Sequence, residues 1–439
     1  PRPGEPPPPG RPPARHSRWP ESGLFWACPD PAPAGTLPDA CDVLIIGAGP
    51  SGSACATVLA GAGLQVCLVD QHDFPREKVC GDGLIPDSHA ALARLGLLDE
   101  VMRHATRVSH VRCVAPRGGQ VDVPGTLAVL PRRQLDFLLV RHAERAGARR
   151  VTPVRFDAVI EHGGRVVGAR LRQGDLTHEV RARWVVLATG ASVGPMLATG
   201  LCTRRTPSGI ALRGYVRNPA LAGQLATMDV VWDRALRPGY GWIFPCGEAT
   251  WNIGVGAFFR RGDDGRDRAA DANLRQMFDD FTRVYAPARR LMDGGELQGG
   301  LKGAPLRCTL EGARHEGRAG LIATGEALGS TYDFTGEGIG KALETGLLAA
   351  DTLLAGERAG RDEAAIRQDY ATRLAALKPK FALYERANSV NRHPWLADLV
   401  IWRARRSPRL LRRMSGVLDE TANPGHLMSL RGMLRLLTR

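Results

Sequence analysis

The sequence predicts an α/β fold in which a Rossmann-like nucleotide-binding domain is interleaved with an antiparallel-sheet domain and followed by helices. Three observations predict this. A strand, a glycine-rich turn, a helix and a second strand follow one another in residues 41–84. Strand-like segments then dominate residues 206–301, between two stretches typical of a nucleotide fold. From residue 358 onward the pattern is helical and is interrupted by prolines.

A βαβ unit begins the first domain. Residues 42–46 (DVLII) are mostly apolar, which is typical of a buried parallel strand. Gly47–Gly52 is a complete G-x-G-x-x-G that opens the apolar helical run Ser53–Ala62. A second strand, Gln65–Val69, ends in Asp70, 18 residues after the last glycine of the motif.

The spacing of this unit predicts a dinucleotide site. Gly47 permits the tight turn, Gly49 lets the backbone approach a pyrophosphate, and Gly52 lets the helix pack closely on the strand. The helix N-terminus offers free N–H groups and a positive dipole end to phosphates. Asp70 is placed to accept hydrogen bonds from ribose hydroxyls. The motif alone does not distinguish NAD from FAD.

Composition limits the class of protein. Apolar residues make up 44% of the 439 and charged residues 24%, as in soluble globular proteins. No apolar run reaches the roughly 18 residues of a membrane-spanning helix, and the secretory-signal pattern is absent. Nine scattered cysteines without a C-x-x-C pair favour reduced thiols in the cytoplasm. The His and Cys spacings predict no metal site.

We predict four regions. Their bounds are 1–38 for a Pro-rich flexible leader, 39–205 with 302–357 for a discontinuous nucleotide-binding domain, 206–301 for a sheet-rich substrate domain, and 358–439 for a basic helical C-terminal region. Within the nucleotide-binding domain, the fold itself is expected to draw on about 39–106, 131–205 and 302–357. Most of the net charge of +14 lies in the C-terminal region.

Several further elements follow from the residue pattern. They are a helix over 87–104, a β-hairpin over 108–123, strands over 151–186 with turns at 162–164 and 173–175, four strands between 209 and 259, a helix over 267–285, a helix over 340–355, and helix breaks at Pro379, Pro394, Pro408 and Pro424.

Four motifs resemble those of a known family. They are Gly47–Gly52 with Asp70, then Phe74–Leu84 (FPREKVCGDGL, similar to P-R-x-K-x-C-G), then Tyr240–Pro245 (Y-x-W-x-F-P), and Gly325–Gly329 with Thr335–Ile339. Arg132 and Asp136 also fit an R-x-x-x-D pattern. Together these resemble the flavin-dependent oxidoreductases of p-hydroxybenzoate hydroxylase-like fold, and within them the geranylgeranyl reductase family.

The resemblance implies an FAD-binding domain of three-layer ββα type. The residues that it places at the cofactor are Gly47, Gly49, Ser51, Gly52, Asp70, Arg76, Lys78, Cys80, Gly81, Arg132, Thr189, Gly190, Gly325, Glu326, Gly336, Gly338 and Ile339. The chain departs from the family at two positions. Glu326 stands where the family usually has Asp, and Asp333 where it generally has Pro.

Two of the candidate catalytic residues are Cys80 and Asp333. Cys80 is either a reactive thiol that gives a proton to a reduced alkene or a small residue packed against the flavin. Lys78 and Arg76 are close in sequence and are expected to lower its pKa. Asp333 is either a solvated loop acid or an acid or base near the reactive edge of the flavin.

The other two candidates are Tyr240 and Trp242. With Phe244 they alternate along a strand and therefore share one face. That face is either part of the core or an aromatic wall for an apolar or planar substrate. Trp232 and Trp251 are weaker candidates to extend the wall.

The C-terminal region leaves two interpretations open. Residues 395–402 are mostly apolar, and six arginines lie between Arg403 and Arg413. Such helices can cap the fold with a solvated face, or lie on an anionic membrane surface. The expected location is therefore cytoplasmic, with possible contact to the inner face of the membrane. No recognition motif for nucleic acid accompanies the charge.

The resemblance implies an FAD-dependent oxidoreductase. The leading hypothesis is hydride transfer from flavin N5 that reduces, or in reverse forms, a carbon–carbon double bond in a hydrophobic prenyl-like, lipid-like or tailoring-pathway substrate. The alternative is a monooxygenase or halogenase that acts through a flavin hydroperoxide on an aromatic or carrier-bound substrate. A non-enzymatic flavin-bound scaffold is a third class.

The source of electrons is a separate question. The sequence holds no second G-x-G-x-x-G in a βαβ setting, so a stable NADPH site is not implied. We therefore expect electrons from transient NAD(P)H or from a separate flavin reductase as a partner.

Overall fold

Two sheets organise residues 35–259 and 272–418, the part of the chain that the computed structural model describes. The strands are β1 Ala40–Ile46, β2 Val66–Val69, β3 Gly83–Leu84, β4 Thr106–Val114, β5 Gln120–Val129, β6 Arg149–Val151, β7 Arg155–His162, β8 Arg165–Gln173, β9 Leu176–Leu187, β10 Gly209–Arg217, β11 Met228–Val231, β12 Gly239–Pro245, β13 Thr250–Phe258, β14 Glu296–Leu306 and β15 Leu321–Ala323.

Twelve helices accompany these strands in the described residues. They are α1 Pro50–Gly61, α2 Pro86–Arg94, α3 Leu98–His104, α4 Arg132–Arg145, α5 Val193–Ala198, α6 Leu274–Val284, α7 Ala286–Asp293, α8 Ile339–Arg358, α9 Glu363–Ala387, α10 Ser389–Arg392, α11 Trp395–Ala404 and α12 Pro408–Leu418. No helix of residues 35–259 and 272–418 is long and apolar enough to cross a membrane.

The first sheet has the predicted Rossmann-like core. β1 pairs in parallel with β2 and β9, and β15 pairs in parallel with β9. β7, β8 and β9 form an antiparallel meander at one side. Helices α1, α4, α8 and α9 pack together beside the parallel strands. The fold of this domain is therefore Rossmann-like, with a parallel sheet, a smaller antiparallel layer and helices, as the sequence predicts.

The second sheet has eight strands in the order β14-β10-β13-β12-β11-β4-β5-β3. The predicted hairpin, β4 with β5, joins it because β4 pairs in parallel with β11 (Val111 opposite Met228). Residues 83–129 therefore contribute strands to the second sheet, although the predicted bounds placed all of 39–205 in the nucleotide-binding domain. Alternation of apolar residues predicts a hairpin but does not name its partner strand.

Three helix predictions need correction. The helix expected over 87–104 is two helices, α2 and α3, separated at Gly96 (φ +72°). Pro379 lies inside α9 without ending it, whereas Pro394 and Pro408 mark the starts of α11 and α12. Of the helix expected over 267–285, α6 covers the later part. The leader up to residue 34, residues 260–271 and Pro424 lie outside the described residues.

The two faces of the second sheet are covered by different helices. On one face, Phe281 of α6 packs where Gly241 leaves room, within an apolar cluster that includes Leu291 of α7. On the other face, α11 and α12 pack against the β4–β5 hairpin, where Ile401 and Leu410 are buried. The C-terminal helices thus cap the face that is turned toward the first domain's motifs.

The glycine-rich turn is fixed by direct backbone contact. A Cβ on Gly52 would lie 1.8 Å from the carbonyl oxygen of Gly47, and a Cβ on Gly346 of α8 would lie 2.2 Å from that of Ser51. Gly47 itself has φ +106°, which favours glycine. Helices α1 and α8 consequently approach each other closely over the end of β1.

Replacement of Gly346 by Ala should lower the free energy of unfolding by about 2 kcal/mol, because the added methyl overlaps the backbone of α1. Gly61→Ala is the matched control, since Gly61 ends α1 with nothing within 4 Å of a Cβ. The control should be neutral or gain up to about 1 kcal/mol from helix propensity. Urea unfolding of both variants measures this, and equal stabilities would contradict the close contact.

Candidate functional site

A cavity of about 910 Å³ lies between the two sheets and under the C-terminal helices. At one end it is lined by the glycine-rich turn and the loop from Arg76 to Gly83. At the other end its walls are apolar side chains of β4, β5, α11 and α12. This volume is at the upper end of the usual range for ligand sites.

The structure brings most of the predicted cofactor residues to this cavity. Those on its wall are Gly47, Gly49, Ser51, Asp70, Arg76, Lys78, Cys80, Gly81, Arg132, Thr189, Gly190, Glu326, Gly336, Gly338 and Ile339. Gly52 and Gly325 are not wall residues. A Cβ on Gly325 would lie 2.3 Å from the Ser51 hydroxyl oxygen, so both glycines serve the packing behind the wall.

We call the end of the cavity that is lined by the glycine-rich turn and the Arg76–Gly83 loop the nucleotide end. Two arginines there contact one buried carboxylate. Asp136 accepts two hydrogen bonds from Arg132, at 2.6 and 2.9 Å, and Arg76 Nη1 lies 3.0 Å from its Oδ2. Arg76 also reaches Asp70 Oδ2 at 3.5 Å, while the Ala48 N–H donates to the same oxygen at 2.9 Å. This explains the R-x-x-x-D spacing, because Asp136 holds Arg132 and Arg76 side by side.

The nucleotide end fits FAD. Among the described residues no side chain caps the N-terminus of α1, so the N–H groups that follow Gly49 are available to a pyrophosphate. Arg76 Nε and Thr189 Oγ1 are buried on the wall and have no hydrogen-bond partner within the described residues. Buried polar groups are almost always hydrogen-bonded, so these two atoms indicate a bound polar ligand.

Glu326 lies where it could accept a ligand hydroxyl, as expected of the shorter Asp. It lines the cavity near Gly190, and its Oε1 lies 3.4 Å from both the Arg307 N–H and the Thr331 hydroxyl. Both contacts are long, so the carboxylate keeps capacity to accept from a ligand hydroxyl. The N-terminus of α8 at Gly338 opens on the same region.

A buried polar network holds the loop that carries Cys80, and the sequence did not predict it. Asp82 Oδ2 accepts from the Tyr215 hydroxyl at 2.5 Å and from Asn252 Nδ2 at 2.7 Å, and Oδ1 accepts from the Arg132 N–H at 3.2 Å. Asn252 Nδ2 also donates to the Cys80 carbonyl at 2.7 Å. Burial raises the pKa of Asp82 to about 6.

The same asparagine orients the aromatic wall. Trp242 Nε1 donates to Asn252 Oδ1 at 2.9 Å, so one amide joins the Cys80 loop to the wall. A polar residue inside the apolar run WNIGVG of β13 was the available sequence signal. We call the place where the Cys80 loop meets the aromatic wall the junction. Asn252 is therefore a positioning residue for both sides of the junction.

Cys80 lies on the cavity wall, but its expected low pKa is wrong. Burial raises the pKa of its thiol, and the nearby Arg132 guanidinium opposes this only in part. Lys78 and Arg76, its neighbours in sequence, are not the cations that act on it. The thiol is thus protonated at neutral pH, the state that a proton donor requires.

Tyr240, Trp242 and Phe244 share one face, as their alternation predicts, and that face is both part of an apolar cluster and a wall of the cavity. Neighbouring rings contact each other at centroid distances of 6.3 and 6.4 Å, and all three line the cavity. Trp232 extends the wall, stacked at 6.3 Å on Phe334. Trp251 does not, because it is buried in the cluster on the opposite face of the sheet.

Asp333 is not brought to the cavity wall. Its carboxyl is buried and accepts from Asn388 Nδ2 at 2.8 Å, at the joint between the loop before α8 and the C-terminal helices. Burial, with the negative charge of Glu385, raises its pKa to about 7. The interpretation as a solvated acid is wrong, and its position does not support contact with the reacting atoms.

The apolar end of the cavity is closed by the C-terminal helices. We call α11 and α12 the roof. Their wall residues are Ala397, Val400, Ile401, Met414, Val417 and Leu418, opposite Val111, Cys113 and Val123 of the hairpin. The sequence indicated a helical cap but not that the cap forms one wall of the cavity.

Tyr215→Phe should destabilise the fold more at roughly pH 8 than at roughly pH 5. Folding raises the pKa of Asp82 from its usual 3.8 to about 6. The contribution of Asp82 to the free energy of unfolding therefore falls as the pH rises from 3.8 toward 6. Above that range the Tyr215 hydroxyl donates to a charged carboxylate, so its loss should cost about 2 kcal/mol, against about 1 kcal/mol at low pH.

Tyr370→Phe is the matched control for this prediction. The Tyr370 hydroxyl is buried and donates to the neutral carbonyl of Ala323 at 2.8 Å. Its loss should cost the same at both pH values in chemical unfolding. A pH-independent loss for Tyr215→Phe as well would show that Asp82 does not carry the charge proposed for it.

Comparison with known proteins agrees with this geometry. A family profile described as an FAD binding domain matches residues 40–197. The chain is 34% identical over 336 residues to a menaquinone reductase of Mycolicibacterium smegmatis, covering 72% of this chain and 76% of that protein. It is 28% identical over 312 residues to digeranylgeranylglycerophospholipid reductase 2 of Methanopyrus kandleri, covering 71% and 76%.

Solved structures share the fold. A geranylgeranyl bacteriochlorophyll reductase-like protein from Thermoplasma acidophilum superposes with a TM-score of 0.69 at 21% identity, covering 91% of this chain and 96% of that one. The flavin-dependent brominase Bmp2 superposes with a TM-score of 0.67 at 19% identity, covering 91% and 97%. The motifs, the cavity and the relatives together show that this chain is an FAD-dependent oxidoreductase and belongs to the geranylgeranyl reductase family.

Proposed function

We propose that the enzyme reduces, or in the reverse direction forms, a carbon–carbon double bond in a hydrophobic prenyl-like or lipid-like substrate. The observation that carries this proposal is the continuity of the cavity. Its polar end fits FAD, and its other end is apolar. Cys80, in the loop that joins the two ends, lies on the cavity wall, as does Trp242. An apolar chain can therefore occupy one end while its double bond reaches the other.

The named relatives support this class of substrate. The matching proteins are named for the reduction of menaquinone and of digeranylgeranylglycerophospholipid. The likeness to a brominase is below 25% identity and extends to the fold alone. Reduction of an apolar alkene is therefore favoured over oxygenation or halogenation of an aromatic or carrier-bound substrate.

FAD, when bound and reduced by the electron donor, would supply the hydride. The residues of the chain position the substrate and move the proton. Tyr240 and Trp242 present a flat apolar surface to the alkene, and Tyr240 is itself held by donation to the Thr335 carbonyl at 2.5 Å. The Cys80 thiol holds the proton that the second alkene carbon receives. The apolar roof excludes water from the junction.

The electron donor in this proposal is NAD(P)H that binds transiently, or a separate flavin reductase. Two cavity features are compatible with either source. The cavity has a volume of about 910 Å³, and Arg155 on β7 lies on its wall near the nucleotide end. Stopped-flow reduction of the bound FAD by NADH and NADPH, each with and without a purified flavin reductase, identifies the donor.

The decisive experiment is anaerobic. The FAD of the purified enzyme is photoreduced, and prenyl lipids, quinones with prenyl tails, aromatics and carrier-bound acyl groups are added in turn. We expect a prenyl-bearing lipid to reoxidise the flavin without oxygen and to gain two hydrogen atoms, measured by absorbance and mass spectrometry. Reoxidation that requires oxygen, with oxygen or halogen in the product, would overturn reduction in favour of the alternative.

Cys80→Ala should slow alkene reduction by about 10²- to 10⁴-fold, the usual contribution of a positioned proton donor. The FAD content should stay the same, because the network holds the loop through the Cys80 carbonyl and the Asp82 carboxylate rather than the thiol. Since the pKa of the thiol is raised, the wild-type rate should not fall up to about pH 9.

Cys246→Ala is the matched control for the thiol. Cys246 directly follows the aromatic strand β12, and its Sγ lies 3.7 Å from the Phe244 carbonyl. It is not among the cavity-wall residues of the described chain. This variant should keep the full rate. A Cys80→Ala enzyme that also keeps it would assign Cys80 a packing role only.

A further inference from the structure

The outer surface of the roof carries exposed tryptophans and arginines that have no role in the proposed function. Trp395 and Trp402 of α11 are 54% and 46% exposed, and they are two of the five exposed large apolar side chains of the described residues. They are separated by seven residues, so with Leu399 and Arg406 they form one stripe along the helix. The Arg406 guanidinium lies over the Trp402 ring, 4.9 Å from its centroid.

The charge of this surface is strongly one-sided. Residues 395–418 contain six arginines, which are Arg403, Arg405, Arg406, Arg409, Arg412 and Arg413, and a single acid, Asp398. Five of the six are exposed, and no carboxylate of the described residues forms an ion pair with any of them. Asp398 accepts from the Arg117 N–H at 3.0 Å and thus faces the hairpin.

The two faces of the roof therefore differ in chemistry. The inner face of α12, with Leu410, Met414 and Val417, packs on the hairpin and the cavity, and its outer face carries Arg409 and Arg412. Tryptophan and arginine side by side match the boundary between lipid head groups and acyl chains, where indole rings and phosphates meet. Neighbouring arginines without acids match an anionic surface.

We infer that the roof is a docking face for an anionic lipid bilayer. Trp395 and Trp402 enter the head-group layer, and the arginines bind lipid phosphates. Because the same two helices wall the apolar end of the cavity, docking places that end at the bilayer, the source of a lipid alkene. This last step rests on the proposed function, whereas the binding itself does not.

The test is cosedimentation of the FAD-loaded full-length enzyme with vesicles. One vesicle preparation is pure phosphatidylcholine and the other contains one quarter phosphatidylglycerol. We expect binding to the anionic vesicles only. Arg405→Gln/Arg409→Gln/Arg412→Gln should weaken it at least tenfold, since each basic residue near an anionic surface contributes about fivefold.

The matched control removes three charges elsewhere. Arg275→Gln/Arg289→Gln/Arg290→Gln changes exposed arginines of α6 and α7, which cover the opposite face of the second sheet. This variant should bind as the wild type does. Equal loss in both triple variants, or wild-type binding that does not depend on phosphatidylglycerol, would overturn the docking face and leave only a nonspecific charge effect or no membrane contact.

A second measurement tests whether the two tryptophans enter the bilayer. Combined outcomes then distinguish the docking face from the proposed function. Brominated phosphatidylglycerol should quench less fluorescence in Trp395→Phe/Trp402→Phe than in the wild type, and equal quenching would overturn their insertion. If vesicles bind but no lipid alkene is reduced, the proposed function fails and the docking face stands. If a detergent-dissolved alkene is reduced but vesicles do not bind, the docking face fails and the proposed function stands.

Discussion

The structure depends on the direct backbone contact between α1 and α8 over the end of β1. Gly346 of α8 leaves no room for a Cβ against the Ser51 backbone of α1. This contact brings the first and last motifs of the nucleotide fold together although they are almost three hundred residues apart in sequence. Both helix N-termini then open on one cavity, where their dipoles favour the negative charge and electron-rich ring of the cofactor. Any side chain that separates the helices would move the two halves of the FAD site apart.

The parts of the site that sequence could predict are those whose chemistry lies in local spacing. Four features are of this kind: the glycine turn, the acid that follows β2, the Arg132–Asp136 pair and the alternating aromatics of β12. Trp251, a weaker candidate for the wall, lies on the other face, and strand pairing explains why. Asn252 lies opposite Phe244, and cross-strand partners share a face, so Asn252 faces the cavity while Trp251 faces away. Only the register, which the sequence does not state, settles this.

Groups that act together across the fold could not be predicted in this way. The cation that acts on Cys80 is Arg132, from another element, and burial outweighs it. Asp82 is held by Tyr215 and Asn252, which lie more than one hundred residues further along the chain. In each case burial and long-range partners set the protonation state. The sequence neighbour Lys78, by contrast, suggested a lowered pKa for Cys80, whereas its pKa is raised. Sequence proximity of charges is therefore a weak guide to the pKa of a buried group.

The two ends of the cavity are held in physically different ways, and this bears on how a bulky substrate reaches the junction. At the reacting end, Asp82, Tyr215 and Asn252 form a buried hydrogen-bonded network that is costly to separate. The roof is held by apolar packing and by exposed hydrogen bonds, such as that from Ser415 to the Pro124 carbonyl at 2.8 Å. Exposed bonds exchange with water at little cost, so local opening belongs to the roof. Under the proposed function, local opening of the roof would admit the substrate, while the network keeps Cys80 and Trp242 in place.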